Sequence, residues 1–129
     1  DLIAQEQHNI VGEITPSYSM LDKTGFAAIK HLYKNAKILF IMRDPVDRYW
    51  SHVKFSKTHF GLDKYDAIGS GLDYLSDPRY VLRTNYKRTL IELYKVFPRE
   101  NVFIAFYENL MDPATHEAEL KKIHRFFRY

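Results

Sequence analysis

Apolar positions along the chain fall in short blocks whose spacing changes from block to block. Residues 38–42, Ile-Leu-Phe-Ile-Met, are five consecutive apolar positions. Such a run is too short for a solvent-facing helix and shows no alternation, so it predicts a strand buried on both faces of a parallel sheet. Val102 to Phe106 predicts a second parallel strand, and residues 9–15, with Ile10 and Val11 at their centre and Pro16 as the stop, predict one earlier in the chain. Between these blocks the spacing is helical. Phe26, Ile29, Leu32 and Tyr33 recur over 24–35, predicting a helix capped by Thr24 with Lys30 and Lys34 outward. From Pro45 to about Thr58 a helix would bury Val46, Trp50 and Val53, expose Lys54 and Lys57, and end at Phe60-Gly61. A long helix from Tyr80 to about Val96 would align Tyr86, Leu90, Leu93 and Phe97 until Pro98 stops it. A last amphipathic helix, Ala114 to Phe127, carries Leu120, Ile123, Phe126 and Phe127. Residues 61–78 hold three glycines and read as a loop with one helical turn near Leu72 to Leu75. Alternation of strand and helix predicts an α/β fold, three layers around a central parallel sheet.

The punctuation after Met42 marks a strand–turn–helix unit. Asp44 can cap the next helix, Pro45 suits its first position because the missing N–H would be unpaired there, and Asp47 adds negative charge to the first turn. Arg43 then sits at the carboxyl end of the strand, where open α/β sheets bind their ligands, and Ser51 lies about two turns into the helix. A planar guanidinium and a hydroxyl can converge there on one anion, and that geometry suits a phosphate. The competing reading is that Arg43 pairs with Asp44 or Asp47 and Ser51 packs on its own helix. Arg48, four residues after Asp44, is expected to make an i,i+4 pair rather than to touch a ligand.

Composition narrows the field without choosing a function. At 129 residues with 46% hydrophobic positions, the chain is sized for one domain with a real core, predicted to be a single unit over 1–129. The net charge of +3 fits an anionic ligand and falls short of a dedicated nucleic-acid binder, so no nucleic-acid partner is expected. The aromatics of the Tyr80–Arg99 stretch sit at core spacing, which assigns them to packing rather than base stacking. No apolar run approaches the roughly 18 residues of a membrane span, so no membrane segment is expected. Without cysteine there is neither disulfide nor thiolate-bound zinc, and the six histidines are scattered without metal-ligand spacing, so no metal is expected.

Three blocks carry a family resemblance. Arg43-Asp44-Pro45-Val46-Asp47-Arg48-Tyr49-Trp50-Ser51, directly after the apolar run, resembles the Arg-(Asp/Asn)-Pro-x-x-Arg-x-x-Ser motif by which sulfotransferases hold the 3′-phosphate of 3′-phosphoadenosine 5′-phosphosulfate. Upstream, Gly12-Glu13-Ile14-Thr15-Pro16-Ser17-Tyr18 resembles the Gly-Glu-x-(Thr/Ser)-Pro-x-Tyr segment of heparan-sulfate-type and many bacterial sulfotransferases. Downstream, Asn85-Tyr86 running to Phe97-Pro98, then a strand leading into Tyr107-Glu108-Asn109-Leu110, is similar to the family's later block.

The resemblance implies a P-loop NTPase-like sulfotransferase fold, incomplete at both ends, and transfer of a sulfuryl group from 3′-phosphoadenosine 5′-phosphosulfate (PAPS) to a hydroxyl or amine. The nucleotide product would be 3′,5′-adenosine bisphosphate (PAP). It makes Arg43 and Ser51 the cofactor-binding pair, with Thr15 and Tyr18 lining the acceptor side. Glu13 is a candidate catalytic group that serves equally as a structural hydrogen-bond acceptor. The expected partners are the nucleotide cosubstrate and an acceptor of undefined structure, a carbohydrate among the candidates. A cytoplasmic setting is expected, or the Golgi lumen if the chain is of eukaryotic heparan type. Two alternatives stay open: a nucleotide-binding or interaction module without chemistry, and a P-loop kinase relative. The chain departs from the family pattern in holding no Lys- and Gly-containing loop for the 5′-phosphosulfate and none of the usual upstream acid–base residue. Ile14 also stands where several heparan-type members have lysine.

The expected outcome is that these 129 residues, expressed alone, transfer no sulfuryl group. An assay with radiolabelled sulfate donor checks this, and labelled product on any acceptor would contradict it.

Overall fold

The computed structural model describes residues 11–60 and 78–128, and the predicted loop at 61–77 with its turn near Leu72 lies outside them. The described residues form a mixed helix and strand fold around a small parallel sheet. Its strands are β1, Ile38–Met42, and β2, Val102–Phe106. They pair in parallel with Ile38 opposite Val102 and Met42 opposite Phe106. Helices α1 (Lys23–Leu32), α2 (Pro45–Phe60), α3 (Pro78–Thr84), α4 (Tyr86–Tyr94), α5 (Tyr107–Met111) and α6 (His116–Phe127) surround it, and short 3₁₀ turns cover Pro16–Met20 and Arg99–Asn101.

The core gathers where α1 and α4 meet the start of the sheet. Phe26, Leu93, Phe97 and Val102 are buried together, with Leu21, Ile29, Ala36, Ile38, Leu90, Tyr94 and Val96 packed around them. Ile38 and Val102 are register partners, so their side chains leave the sheet on the same side. Phe103 points the other way by strand alternation and meets Phe126 of α6, ring centroids 5.4 Å apart. Polar ties close the edges of this packing. Lys37 Nζ donates to the carbonyls of Phe126 and Arg128 at 2.7 and 3.1 Å, satisfying acceptors at the end of α6. Asn101 Nδ2 donates to the Ala36 carbonyl at 3.2 Å.

Five expectations need correction. Residues 11–15 form no strand. Val11 and Ile14 are 56% and 97% exposed, and among the described residues the sheet holds β1 and β2 alone; positions 9 and 10 of the expected strand lie outside the described residues. β1 is not buried on both faces, and Ile41 is 46% exposed. In α1 the cap is Asp22, whose Oδ1 accepts the amides of Thr24 and Gly25 at 2.9 and 3.0 Å. Leu32 and Tyr33 of its expected apolar stripe are exposed, while Lys30 turns inward, its ammonium donating to the Val96 carbonyl at 2.7 Å. The single helix over 80–96 is two, broken at Asn85, whose side chain accepts the Arg88 amide at 3.1 Å. Asparagine competes with helix continuation by capping the helix that follows it.

The fifth correction concerns α2, which buries a different face from the one its apolar residues mark. Val46 and Trp50 are 62% and 43% exposed. The partly covered positions are 48, 49, 52 and 53, at i, i+1, i+4 and i+5, so Val53 is the one residue of the expected apolar face that is covered. Tyr49 meets the buried Tyr80 of α3 edge-on at 5.4 Å, His52 lies 6.1 Å from the same ring, and the Tyr80 hydroxyl donates to the Pro45 carbonyl at 3.3 Å. Arg48 joins them, its guanidinium 5.3 Å from the Tyr80 ring and donating to Thr84 Oγ1 at 2.6 Å. Ring contacts with Tyr80 and a cation–π contact thus take the covered face in place of Val46 and Trp50.

Leu93→Ala should therefore lower stability by about 2–5 kcal/mol in urea unfolding, because the fully buried side chain leaves a cavity. Val46→Ser should change it by no more than about 0.5 kcal/mol. A large loss from Val46→Ser would place the apolar face of α2 in the core after all.

Candidate functional site

The strand–turn–helix unit is built as its sequence requires. Asp44 Oδ1 accepts the amides of Val46 and Asp47 at 2.8 and 3.1 Å, which caps α2. Pro45 fills the first helical position, and the Arg48 amide closes the first turn onto the Asp44 carbonyl at 2.9 Å. Arg43 lies between the last residue of β1 and this cap. Ser51 is exposed on α2, seven residues after Asp44 and so on nearly the same helix face. It sits roughly 9 Å along the axis from Pro45.

The register of the sheet carries across the turn. Met42 faces Phe106, so Arg43 comes level with Tyr107 and Asp44 with Glu108. The contacts follow that register. Arg43 Cζ lies 4.5 Å from the centroid of the Tyr107 ring, and the Asp44 amide donates to Glu108 Oε1 at 2.7 Å. A third clamp comes from α4: the Tyr86 hydroxyl donates to the Arg43 carbonyl at 2.9 Å and accepts the Arg43 amide at 3.4 Å. The Tyr86 ring also meets Phe40 edge-on at 5.9 Å. Arg43 Nε is buried without a hydrogen-bond partner, and among the described residues no carboxylate lies within ion-pair distance of its guanidinium. The pair with Asp44 or Asp47 left open above is not formed. Nor does Arg48 pair with Asp44, since Thr84 and Tyr80 take its guanidinium.

Glu13, Thr15 and Tyr18 form a separate group at the start of the described chain. The Thr15 hydroxyl donates to Glu13 Oε1 at 2.8 Å. That bond, with a second from the Tyr18 hydroxyl, holds the Glu13 carboxyl below its usual range, and the same bond to Glu13 pushes the Tyr18 phenol up. Glu13 is fully exposed, so the consequence lies in protonation state: an ionised carboxylate that accepts two hydroxyls is a weak base at neutral pH. The 3₁₀ turn following Thr15 is tied to the α3–α4 elbow. Arg83 donates to Ser17 Oγ at 3.3 Å, Arg88 to the Met20 carbonyl at 2.9 Å, and Thr89 Oγ1 to the Ser19 carbonyl at 2.7 Å. The elbow that clamps Arg43 through Tyr86 thus also anchors the Glu13–Tyr18 segment.

Arg83, Tyr107 and Glu108 had no site role in the reading of the spacing, and Tyr86 stood there only as part of a helix's apolar stripe. Tyr86, Tyr107 and Glu108 stand inside the family-like blocks, so a signal was present. What they touch becomes visible only once β1 and β2 are in register. Arg83 carried no comparable signal.

A profile of the sulfotransferase family matches residues 5–129, nearly the whole chain. The chain belongs to the sulfotransferase family. No curated protein and no solved structure matches it significantly.

Because the folded Glu13 carboxyl is depressed, the stabilising effect of its network is present above the ordinary carboxylate range and lost as pH falls through the depressed value. Thr15→Val removes the largest cause, so the Glu13 midpoint should move up towards that range. Carboxyl-detected NMR titration reads the shift, and an unchanged midpoint would show that Thr15 does not hold Glu13.

Proposed function

We propose that this chain is the part of a PAPS-dependent sulfotransferase that recognises the 3′-phosphate of the nucleotide, with Arg43 and Ser51 as the binding pair. Family membership supports a transferase acting on sulfuryl groups. The finer reading rests on one observation, an arginine at the carboxyl end of a parallel strand whose guanidinium has no acid for a partner among the described residues. A cation kept unneutralised at that position is the feature a nucleotide phosphate requires. Its residue types fit the group: guanidinium for the dianion, hydroxyl from α2 for one further hydrogen bond. The family fold in this reading is P-loop-like with three layers, β1 and α2 forming its 3′-phosphate side.

The nucleotide, when bound, supplies the activated sulfuryl group that a hydroxyl or amine acceptor takes up. The residues of this chain contribute binding and orientation, which account for much of the rate in transfers of this kind. Arg43 neutralises the 3′-phosphate, and Ser51 adds a donor that fixes its orientation. Thr15 and Tyr18 would line the acceptor side, where a carbohydrate hydroxyl or amine suits their polar character. Glu13 would hold those two hydroxyls in place. As a candidate proton acceptor it is disfavoured by its lowered pKa.

In the full-length protein Arg43→Ala should remove a charge-assisted contact of about 1.5–3 kcal/mol, weakening 3′,5′-adenosine bisphosphate roughly tenfold to a hundredfold. Ser51→Ala should remove less. Binding of 5′-adenosine monophosphate, which lacks the 3′ group, should change little in either variant. Calorimetric titration of both nucleotides decides it: equal losses for the two would reduce Arg43 to a support of the fold, and no loss would end the phosphate assignment.

A further inference from the structure

The Arg43 guanidinium rests on a neutral aromatic face although acids stand close to it in sequence and across the sheet. Asp44 follows it directly, and its Oδ1 is engaged by the amides of Val46 and Asp47. Glu108 lies one step further on, in the first turn of α5 beyond the neighbouring strand, and its Oε1 accepts the Asp44 amide at 2.7 Å. Both carboxylates are therefore held by main-chain donors. The guanidinium meets the Tyr107 ring at 4.5 Å instead, with Nε buried and unpartnered among the described residues.

The choice of partner matters for anion binding. An arginine paired to an acid must break that pair before taking a phosphate, and its charge is already cancelled. One that stacks on a tyrosine keeps its full charge, is fixed in plane by the ring, and retains its terminal N–H groups for a ligand. With the Arg43 main chain clamped at both its amide and its carbonyl by the Tyr86 hydroxyl, only the side chain is left to place, and Tyr107 is what it lies on.

We propose that Tyr107 is a positioning residue for 3′-phosphate recognition: its ring holds the Arg43 guanidinium in the orientation that the phosphate needs without cancelling its charge, while Glu108 keeps the adjoining Asp44 amide occupied. This rests on the assignment of Arg43 to the 3′-phosphate. The feature that positions the guanidinium is the electron-rich face of the ring, not the tyrosine hydroxyl.

The test uses the full-length protein titrated with 3′,5′-adenosine bisphosphate and, separately, 5′-adenosine monophosphate. Tyr107→Leu should weaken the bisphosphate about three- to tenfold and change the monophosphate by less than about twofold, and Tyr107→Phe should bind both like the wild type. Since Tyr107→Leu could disturb the packing of α5, a second series keeps the shape of the ring: phenylalanine at 107, then phenylalanines of increasing ring fluorination, which weaken the negative face with little change in size. Bisphosphate affinity should fall in step with fluorination, and that trend should vanish in an Arg43→Ala background. If Arg43→Ala costs bisphosphate affinity while the leucine and fluorinated variants bind like the wild type, the role of Tyr107 is wrong and the Arg43 assignment stands. Should Arg43→Ala itself change nothing, both fall together. Equal losses for the two nucleotides along the Tyr107 series would reduce the ring to a structural support and overturn the proposal.

Discussion

Everything at the strand tips depends on the parallel pairing of Ile38–Met42 with Val102–Phe106 and on its register. Parallel strands cannot be joined by a tight turn, so some sixty residues of crossover separate two segments that lie side by side. Closing that loop is opposed by chain entropy, and the hydrophobic contacts of Ile38 and Val102 with Phe26, Leu93 and Phe97 are what oppose the cost. A slip by one residue would send the side chains of one strand to the opposite face. It would also move Arg43 off Tyr107 and Asp44 off Glu108, because both contacts continue the ladder beyond its last pair.

The elbow between α3 and α4 is the second organising element. Asn85 ends one helix and caps the next. The change of direction lets Arg83 reach Ser17, Tyr86 reach Arg43, and Arg88 and Thr89 reach the carbonyls of Met20 and Ser19. An unbroken helix over the same residues would present these side chains along one straight axis. Two segments far apart in sequence, around Glu13–Tyr18 and Arg43, are thereby held from one short stretch.

Electrostatics at the tip follow from how the hydrogen bonds are distributed. Helix α2 and the turn before it expose main-chain N–H groups that need acceptors, and Asp44 and Glu108 satisfy three of them. The acids that would otherwise cancel Arg43 are thus occupied by the backbone. Arg48, which the spacing set against Asp44, goes to Tyr80 and Thr84. A local charge pattern read along a helix assumes that neighbours have nothing better to bind, and here the backbone and the aromatic rings are better partners than the opposite charges.

What the sequence determined by itself are the features that need only near neighbours. The apolar runs marked β1 and β2, Asp44 and Pro45 marked the start of α2, and the motif from Arg43 to Ser51 with its two flanking blocks carried the family. The cap of α2 and the two apolar runs are decided within a few residues, so they are legible there, whereas the caps at Asp22 and Asn85 were not. Choices between competing partners were made by the tertiary structure. Val11 and Ile14 could have been a strand had a neighbour lain beside them, Val46 and Trp50 could have been the buried face of α2 had Tyr80 not taken the other, and Lys30 could have stayed outward had Val96 not offered a carbonyl. The roles of Tyr86, Tyr107 and Glu108 are of the same kind. Each depends on a contact across some forty to sixty-four residues of chain, and which side chain lies opposite which is set by the packing of the core and the register of the sheet, neither of which is written in the spacing of any one segment.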